Sequence, residues 1–211
     1  DYPACRQALQ LTLPDLQGPF DTAELLWGTD IFLAFYDEPD LLTALLERIT
    51  DIMLLAQRRF SQETGEALGP VCQYQHGVGV KGALLLRCDT TLLIAPQQYR
   101  DIVRPHDARL GEELGSVAIH FCGNGNHIVD EMLSIPSLTC LDFGQSYMND
   151  VDAIYQKAAG RQIALARVAL PEPPTTAQQM LEQLPTGAVL VHHQPETIAE
   201  ANQVLQAYLD R

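Results

Sequence analysis

Positive charge is what this sequence has least of. Lys and Arg total 13 against 27 Asp and Glu, a formal net charge of -14 with a pI of about 4.6. Nucleic acid and anionic membrane surfaces are both recognised through basic patches, so the shortage argues against both as partners. Long apolar runs are missing too. None approaches the ~20 residues of a membrane span, and no signal peptide opens the chain. Paired cysteines are absent as a pattern: Cys5, Cys72, Cys88, Cys122 and Cys140 are odd in number and widely spread. That suits a reducing, cytoplasmic setting rather than a disulfide scaffold. An initiating Met is also missing, and a chain that opens on Asp1 reads as a piece of something longer. What is there is a chain of 211 residues, 46% hydrophobic, enough to bury a sizeable core.

Taken in order, Leu9 to Leu16 has β-compatible spacing and is stopped by Gly18-Pro19. Asp21 or Thr22 then suits the cap of a short helix through Trp27. Asp37-Glu38-Pro39-Asp40 is a strong helix start, and Leu42, Leu45, Leu46, Ile49, Ile52 and Met53 continue it at helical spacing to about Phe60. Residues 66–81 read as a glycine-containing loop insertion. Ala83 to Arg87 is an apolar run of the kind buried on both faces of a parallel sheet. A helix from Pro96 to Leu114 follows, then a strand from Val117 to Phe121 and a helix from His127 to Leu133. Strands at Leu138–Phe143, Ile163–Val168 and Gly187–His193 alternate with helices at 150–159, 176–184 and 195–209.

Alternation of this kind predicts parallel strands joined by helices, in six strand-helix units. A closed barrel needs eight. The expected fold is therefore an α/β, TIM-type barrel lacking its first two strands, one domain over residues 1–211. An open doubly wound sheet of six strands is the alternative. A barrel so interrupted exposes the strand edges at Leu11–Leu16 and Gly187–His193, which predicts aggregation or a homodimer paired edge to edge.

The carboxyl ends of these strands gather the chemistry. In order they carry Asp15 and Gln17, then Asp89, then His120, Cys122 and Asn124, then Asp142 and Gln145, Arg167, and finally His192 and His193. A rim of this kind is where barrel enzymes build their sites. His120 and Cys122 share one face of a strand, and an imidazole with a thiolate suits a soft divalent ion such as zinc. The plainer alternative is a buried cysteine and a hydrogen-bonded core histidine. Asp89 and Asp142 are expected to point into the mouth as catalytic or ligand-orienting carboxylates. For Asp89 a helix cap is the competing role. Gln17, Arg87, Asn124 and Gln145 are the expected substrate contacts.

Several segments resemble the uroporphyrinogen decarboxylase family. They are Arg87-Cys88-Asp89-Thr90-Thr91-Leu92-Leu93-Ile94-Ala95-Pro96, with Tyr99 and Pro105 after it; His120-Phe121-Cys122-Gly123-Asn124-Gly125; Leu141-Asp142-Phe143-Gly144-Gln145; and the turn Gln17-Gly18-Pro19-Phe20. The resemblance covers nearly the whole chain and implies a TIM-type barrel. It implies either zinc-dependent methyl transfer involving a thiol or a corrinoid protein or cofactor-free decarboxylation of a tetrapyrrole; an inactive binding module is the third reading, because part of the barrel is lacking. Departures bear on the choice. The arginine-rich segment with which the decarboxylases hold propionates has no counterpart, Leu25 replaces a tyrosine, and Asp89 stands about where they carry a serine. The methyltransferases share the His-x-Cys pair and take a third ligand, a cysteine, from the last strand. Here that strand ends in His192-His193. The implied zinc ligands are His120, Cys122 and His192, the last chosen because Val189 and Val191 suit the helix side of a strand. Cys140 is the reserve.

Overall fold

A computed structural model of the chain describes residues 14–65, 72–75, 78–169, 182, 184, 189–192 and 195–209. Its centre is a sheet of six strands: β1 (Leu16–Gln17), β4 (Leu84–Arg87), β5 (Val117–Phe121), β6 (Leu138–Phe143), β7 (Ala164–Ala169) and β8 (Val189–His192). Every pairing is parallel, and the strands lie side by side in chain order. Helices interleave them: α1 (Pro19–Trp27), α2 (Ile31–Asp37), α3 (Pro39–Thr64), α4 (Pro96–Gln98), α5 (Arg104–Leu114), α6 (Val129–Leu133), α7 (Val151–Ala159) and α8 (Ile198–Leu209). The chain is thus an α/β protein built on an all-parallel sheet. None of the described helices is long and apolar enough to cross a membrane.

Strand alternation sorts the side chains into two unlike layers. Leu84, Leu86, Val117, Ile119, Phe121, Leu141, Phe143 and Leu165 face one way, into a core shared with α1, α2, α3, α5, α6 and α7. Leu85, Ala118, Cys140 and Ala166 face the other way, where the neighbour is Val80. Bulky residues thus face the helices, while mostly small ones line the opposite face. A doubly wound sheet carries helices on both faces and reverses its strand order. Neither feature is found among the described residues.

Two elements differ from expectation. The stretch read as a loop, 66–81, contains an antiparallel hairpin, β2 (Cys72–Gln75) and β3 (Val78–Lys81). Val80 packs on the non-helical face, and the Thr139 hydroxyl donates to the Lys81 carbonyl. The glycines of this segment hid its pairing, since a short strand needs only a partner ladder and not an apolar run. The helix expected over 96–114 is broken into α4, a π-helical turn (Tyr99–Val103) and α5. Pro105 stands at the start of α5, where its missing N–H costs nothing. Of the strand expected over Leu9–Leu16, residues 9–13 lie outside the described residues and β1 begins only at Leu16; the helix expected at 176–184 lies almost wholly outside them.

Candidate metal centre at the carboxyl ends of the strands

Register brings the expected residues into one transverse row. Gln17 pairs with Arg87, Arg87 with His120, and His120 with Asp142 across four adjacent strands. By alternation Arg87, His120 and Asp142 project from the same face as Leu85, Ala118 and Cys140, one layer nearer the carboxyl ends. The next residue in the row is Ala166, yet the functional group there is Arg167. The ladder between β7 and β8 slips between Ala166 and Val168, and Arg167 takes a φ of 56°. The bulge inserts one residue, so Arg167 is turned into the row and Val168, which regular alternation would put there, joins the helix-side core.

A buried ion pair follows. Asp142 is fully buried, and the Arg167 guanidinium grips it with Nε on Oδ1 at 2.6 Å and Nη2 on Oδ2 at 2.9 Å. His120, also buried, sets its Nδ1 2.9 Å from Asp142 Oδ2, 3.1 Å from the Asp142 carbonyl and 2.7 Å from Arg167 Nη2. The two Asp142 oxygens suit a ring proton on Nδ1, whereas the Arg167 Nη2–H, at the shortest of the three distances, suits a bare Nδ1. Nε2 faces outward, 3.4 Å from Cys122 Sγ and 4.0 Å from Asp89 Oδ1. The carboxylate behind the imidazole is the arrangement that orients metal-binding histidines.

Asp89 reaches the mouth because another residue does the capping. The 3-10 turn Thr90–Leu93 receives no hydrogen bond from the Asp89 side chain. The Asp21 carboxylate, buried in α1, accepts instead from Thr90 N (2.7 Å), Thr91 N (3.3 Å) and Thr91 Oγ1 (2.8 Å). Burial outweighs these bonds and pushes the Asp21 carboxyl up to about 6. Asp89, so released, accepts the Cys122 backbone N–H at 2.6 Å. Cys122 is exposed, and burial of its sulfur followed by the Asp89 charge raises its thiol above the usual value. Behind it Gly144 leaves no room: a Cβ there would lie 2.5 Å from Cys122 Sγ.

One carboxylate oxygen of Asp89, a ring nitrogen of His120 and Sγ of Cys122 all lie within 4.8 Å of one another. Tetrahedral zinc with ordinary bond lengths wants its ligand atoms about 3.3–3.8 Å apart. Small side-chain shifts close that difference, so the three donors fit such an ion and leave one position open.

The loops above the row are tied together by amides. Gln145 Oε1 accepts the Gly123 N–H at 2.7 Å, and Asn124 Oδ1 accepts the Asn126 N–H at 3.0 Å. Asn149 accepts from Gly125 N and donates to the carbonyls of Gly123 and Gln145. Gln145 and Asn124, expected to contact substrate, thus have framework bonds. Arg87 is paired with Asp15, and Gln17 stands beside it in the row. His192 ends β8 opposite Ala169; its side chain and the whole of His193 lie outside the described residues. Cys140 is buried one layer below Asp142. Asp21, expected with Thr22 as a cap of its own helix, lies inside α1, whose cap position is Gly18 because Pro19 opens the helix; sequence reasoning missed Asp21 as the brace of the Thr90 turn and Asn149 as a clamp. The signal for the first was an acid two residues after a helix-opening proline, which looks like an ordinary first-turn acid.

These features define an α/β protein with a candidate metal centre at the carboxyl edge of a parallel sheet. The sequence matches no model of a known protein family, and it matches no curated protein.

Proposed function

We propose that this chain is a zinc-dependent methyl-transfer domain acting on a thiol or serving a corrinoid protein, and that its six-stranded sheet is the larger part of a barrel. The observation that carries the activity is the mutual approach of the Asp89, His120 and Cys122 donor atoms. Three protein ligands with an open fourth position are the pattern of a catalytic rather than a structural zinc site. When bound, zinc supplies the positive charge that keeps a thiol in the open position as a thiolate. The protein does the rest. Asp142 holds the His120 ring with Nε2 outward, Arg167 neutralises Asp142, and Asp21 braces the turn that delivers Asp89. Among the described residues, strand order without reversal and a core that gathers α1, α2, α3, α5, α6 and α7 on one face of the sheet support the barrel.

The decarboxylase alternative needs cations for a substrate bearing many carboxylates. The two arginines of the row are each engaged by a carboxylate already, Arg87 by Asp15 and Arg167 by Asp142. That favours the methyl-transfer reading. The test is metal analysis after reconstitution at neutral pH. One zinc per chain is expected, and Cys122→Ser should bind it more than about tenfold more weakly with an unchanged circular-dichroism spectrum. A protein that retains no stoichiometric zinc, or a serine variant that binds it as well as the wild type, overturns the proposal.

A further inference from the structure

Two of the three donors at the candidate centre have a support behind them. His120 is backed by Asp142, and Asp89 stands on the turn that Asp21 braces. Cys122 is exposed and comes directly after β5. A thiol on a free loop would populate several rotamers. The loop between β6 and α7 removes that freedom. The ladder runs one bond past the strands: the Gly144 N–H donates to the Phe121 carbonyl at 2.8 Å and sets residue 144 against Cys122. A Cβ there would lie 2.5 Å from Cys122 Sγ, 3.0 Å from its Cα and 3.2 Å from its Cβ. Glycine alone leaves the sulfur where it lies, 3.4 Å from His120 Nε2.

The backbone that carries the thiol is held from the same side. Asn149 Oδ1 accepts the Gly125 N–H at 2.8 Å, and its Nδ2 donates to the carbonyls of Gly123 and Gln145, both at 2.9 Å. One amide side chain thus joins two loops by three bonds. The loop of Asn149 is itself anchored to β7, where Ser146 Oγ accepts the Ala169 N–H at 2.8 Å. Across the thiol, Asp89 accepts the Cys122 N–H at 2.6 Å. The segment 122–125 is therefore gripped on both sides before any ion arrives.

We infer that Gly144 and Asn149 are positioning residues of the metal centre: Gly144 through its missing side chain, and Asn149 through its three hydrogen bonds, hold the Cys122 sulfur toward His120 and Asp89. The inference rests on the metal-binding reading of this site and extends it to the groups that set affinity. Neither residue supplies one of the three donor atoms; each acts through Cys122. A donor already in place loses less freedom on binding, and supports of this kind are commonly worth ten- to a hundredfold in metal affinity.

Gly144→Ala tests the wall. Residue 144 has no left-handed φ, so alanine suits its backbone. The sulfur is the far end of a short side chain and can swing away from the new methyl group. In the metal-free protein, three-bond couplings should therefore show a changed χ1 rotamer at Cys122. With cobalt(II) as the probe, the sulfur-to-metal charge-transfer band should weaken in both Gly144→Ala and Asn149→Ala. Zinc affinity, by competition with a chromophoric chelator, should fall about tenfold or more in each. All readings are taken well below each variant's melting temperature. Asn149→Ala crowds nothing, so it decides the matter should Gly144→Ala fail to fold. A purely structural role would lower melting while leaving the band and the affinity intact, and that result overturns the inference. So does an unchanged Cys122 rotamer in Gly144→Ala. A wild type that gives no charge-transfer band and takes up no zinc overturns the metal-binding reading and the inference together; a wild type that binds normally beside unaltered variants overturns the inference alone.

Discussion

Replacing Asp107 by asparagine should make the protein more stable at alkaline pH and less so, relative to the wild type, as the pH falls. Asp107 lies on α5, almost wholly buried, with one oxygen accepting from the Tyr99 hydroxyl at 2.9 Å. Its Oδ1 has no hydrogen-bond partner. Burial, opposed by the Tyr99 bond and reinforced by the charge of Asp21, pushes its carboxyl from 3.8 up to about 7. The sign follows from which state holds the proton. Between about pH 4 and pH 7 the folded chain keeps a proton that the unfolded chain has released, so stability falls as pH rises through that window and levels off above it. A shift of about three units corresponds to roughly 4 kcal/mol in all, of which about 2–3 kcal/mol falls between pH 5 and pH 8. Asparagine keeps an acceptor for Tyr99 and carries no charge, but it puts an NH2 where Oδ1 now lies unpartnered, a cost of about 1–3 kcal/mol at every pH. The constant term cancels in the difference. Urea melts of both proteins at pH 5 and pH 8 should therefore show the asparagine variant gaining about 2–3 kcal/mol on the wild type between the two. Asp21, with its own carboxyl pushed up to about 6, is present in both proteins and cancels to first order. A stability difference that is flat with pH, or that moves the other way, would refute the protonated, buried carboxyl.

Two further predictions concern the site itself. Asp89→Asn retains an oxygen for the Cys122 N–H and removes no cap; its melting should shift by less than about 0.5 kcal/mol while zinc affinity, measured by competition with a chromophoric chelator, falls about tenfold or more. A loss near 1 kcal/mol with zinc affinity intact would return Asp89 to the capping role. Arg167→Gly frees a left-handed backbone worth about 1–3 kcal/mol of strain, but leaves Asp142 buried and unpaired at about 3–5 kcal/mol. The second effect is larger, so chemical denaturation should show a net loss of about 2 kcal/mol; a stabilised variant would mean the ion pair contributes less than the strain.

The parallel architecture was legible because it rests on periodicity. Leu84-Leu85-Leu86 and Val117-Ala118-Ile119 are apolar on both faces, and only a strand covered on both sides tolerates that. The placing of His120, Cys122 and Asp142 was legible for the same reason, since alternate residues of a strand share a face and strand ends meet at one rim. What the pattern does not carry is the slip of one ladder. Regular alternation from Ala166 sends Arg167 to the helix side, and only the bulge turns it toward Asp142. Contacts at long sequence separation were hidden for a related reason. Asp21 caps a turn 69 residues away, and nothing near Thr90 announces that its cap comes from another helix.

The same long-range contacts explain why the candidate centre is anionic at its mouth while cations lie beneath it. Arg167 is engaged by Asp142 and Arg87 by Asp15. The charge on Asp89 works against ionisation of Cys122, whose thiol is held above its usual value by burial and by that carboxylate. In the metal-free protein the thiol therefore keeps its proton, with His120 Nε2 3.4 Å away. A divalent cation reverses the balance: one carboxylate and one thiolate offset its two charges, and the imidazole, held beside Asp142, adds a neutral donor. Arrival of a metal must then expel the Cys122 proton. Metal uptake by this chain should consequently weaken on acidification, because Cys122 competes for protons as well as for the ion.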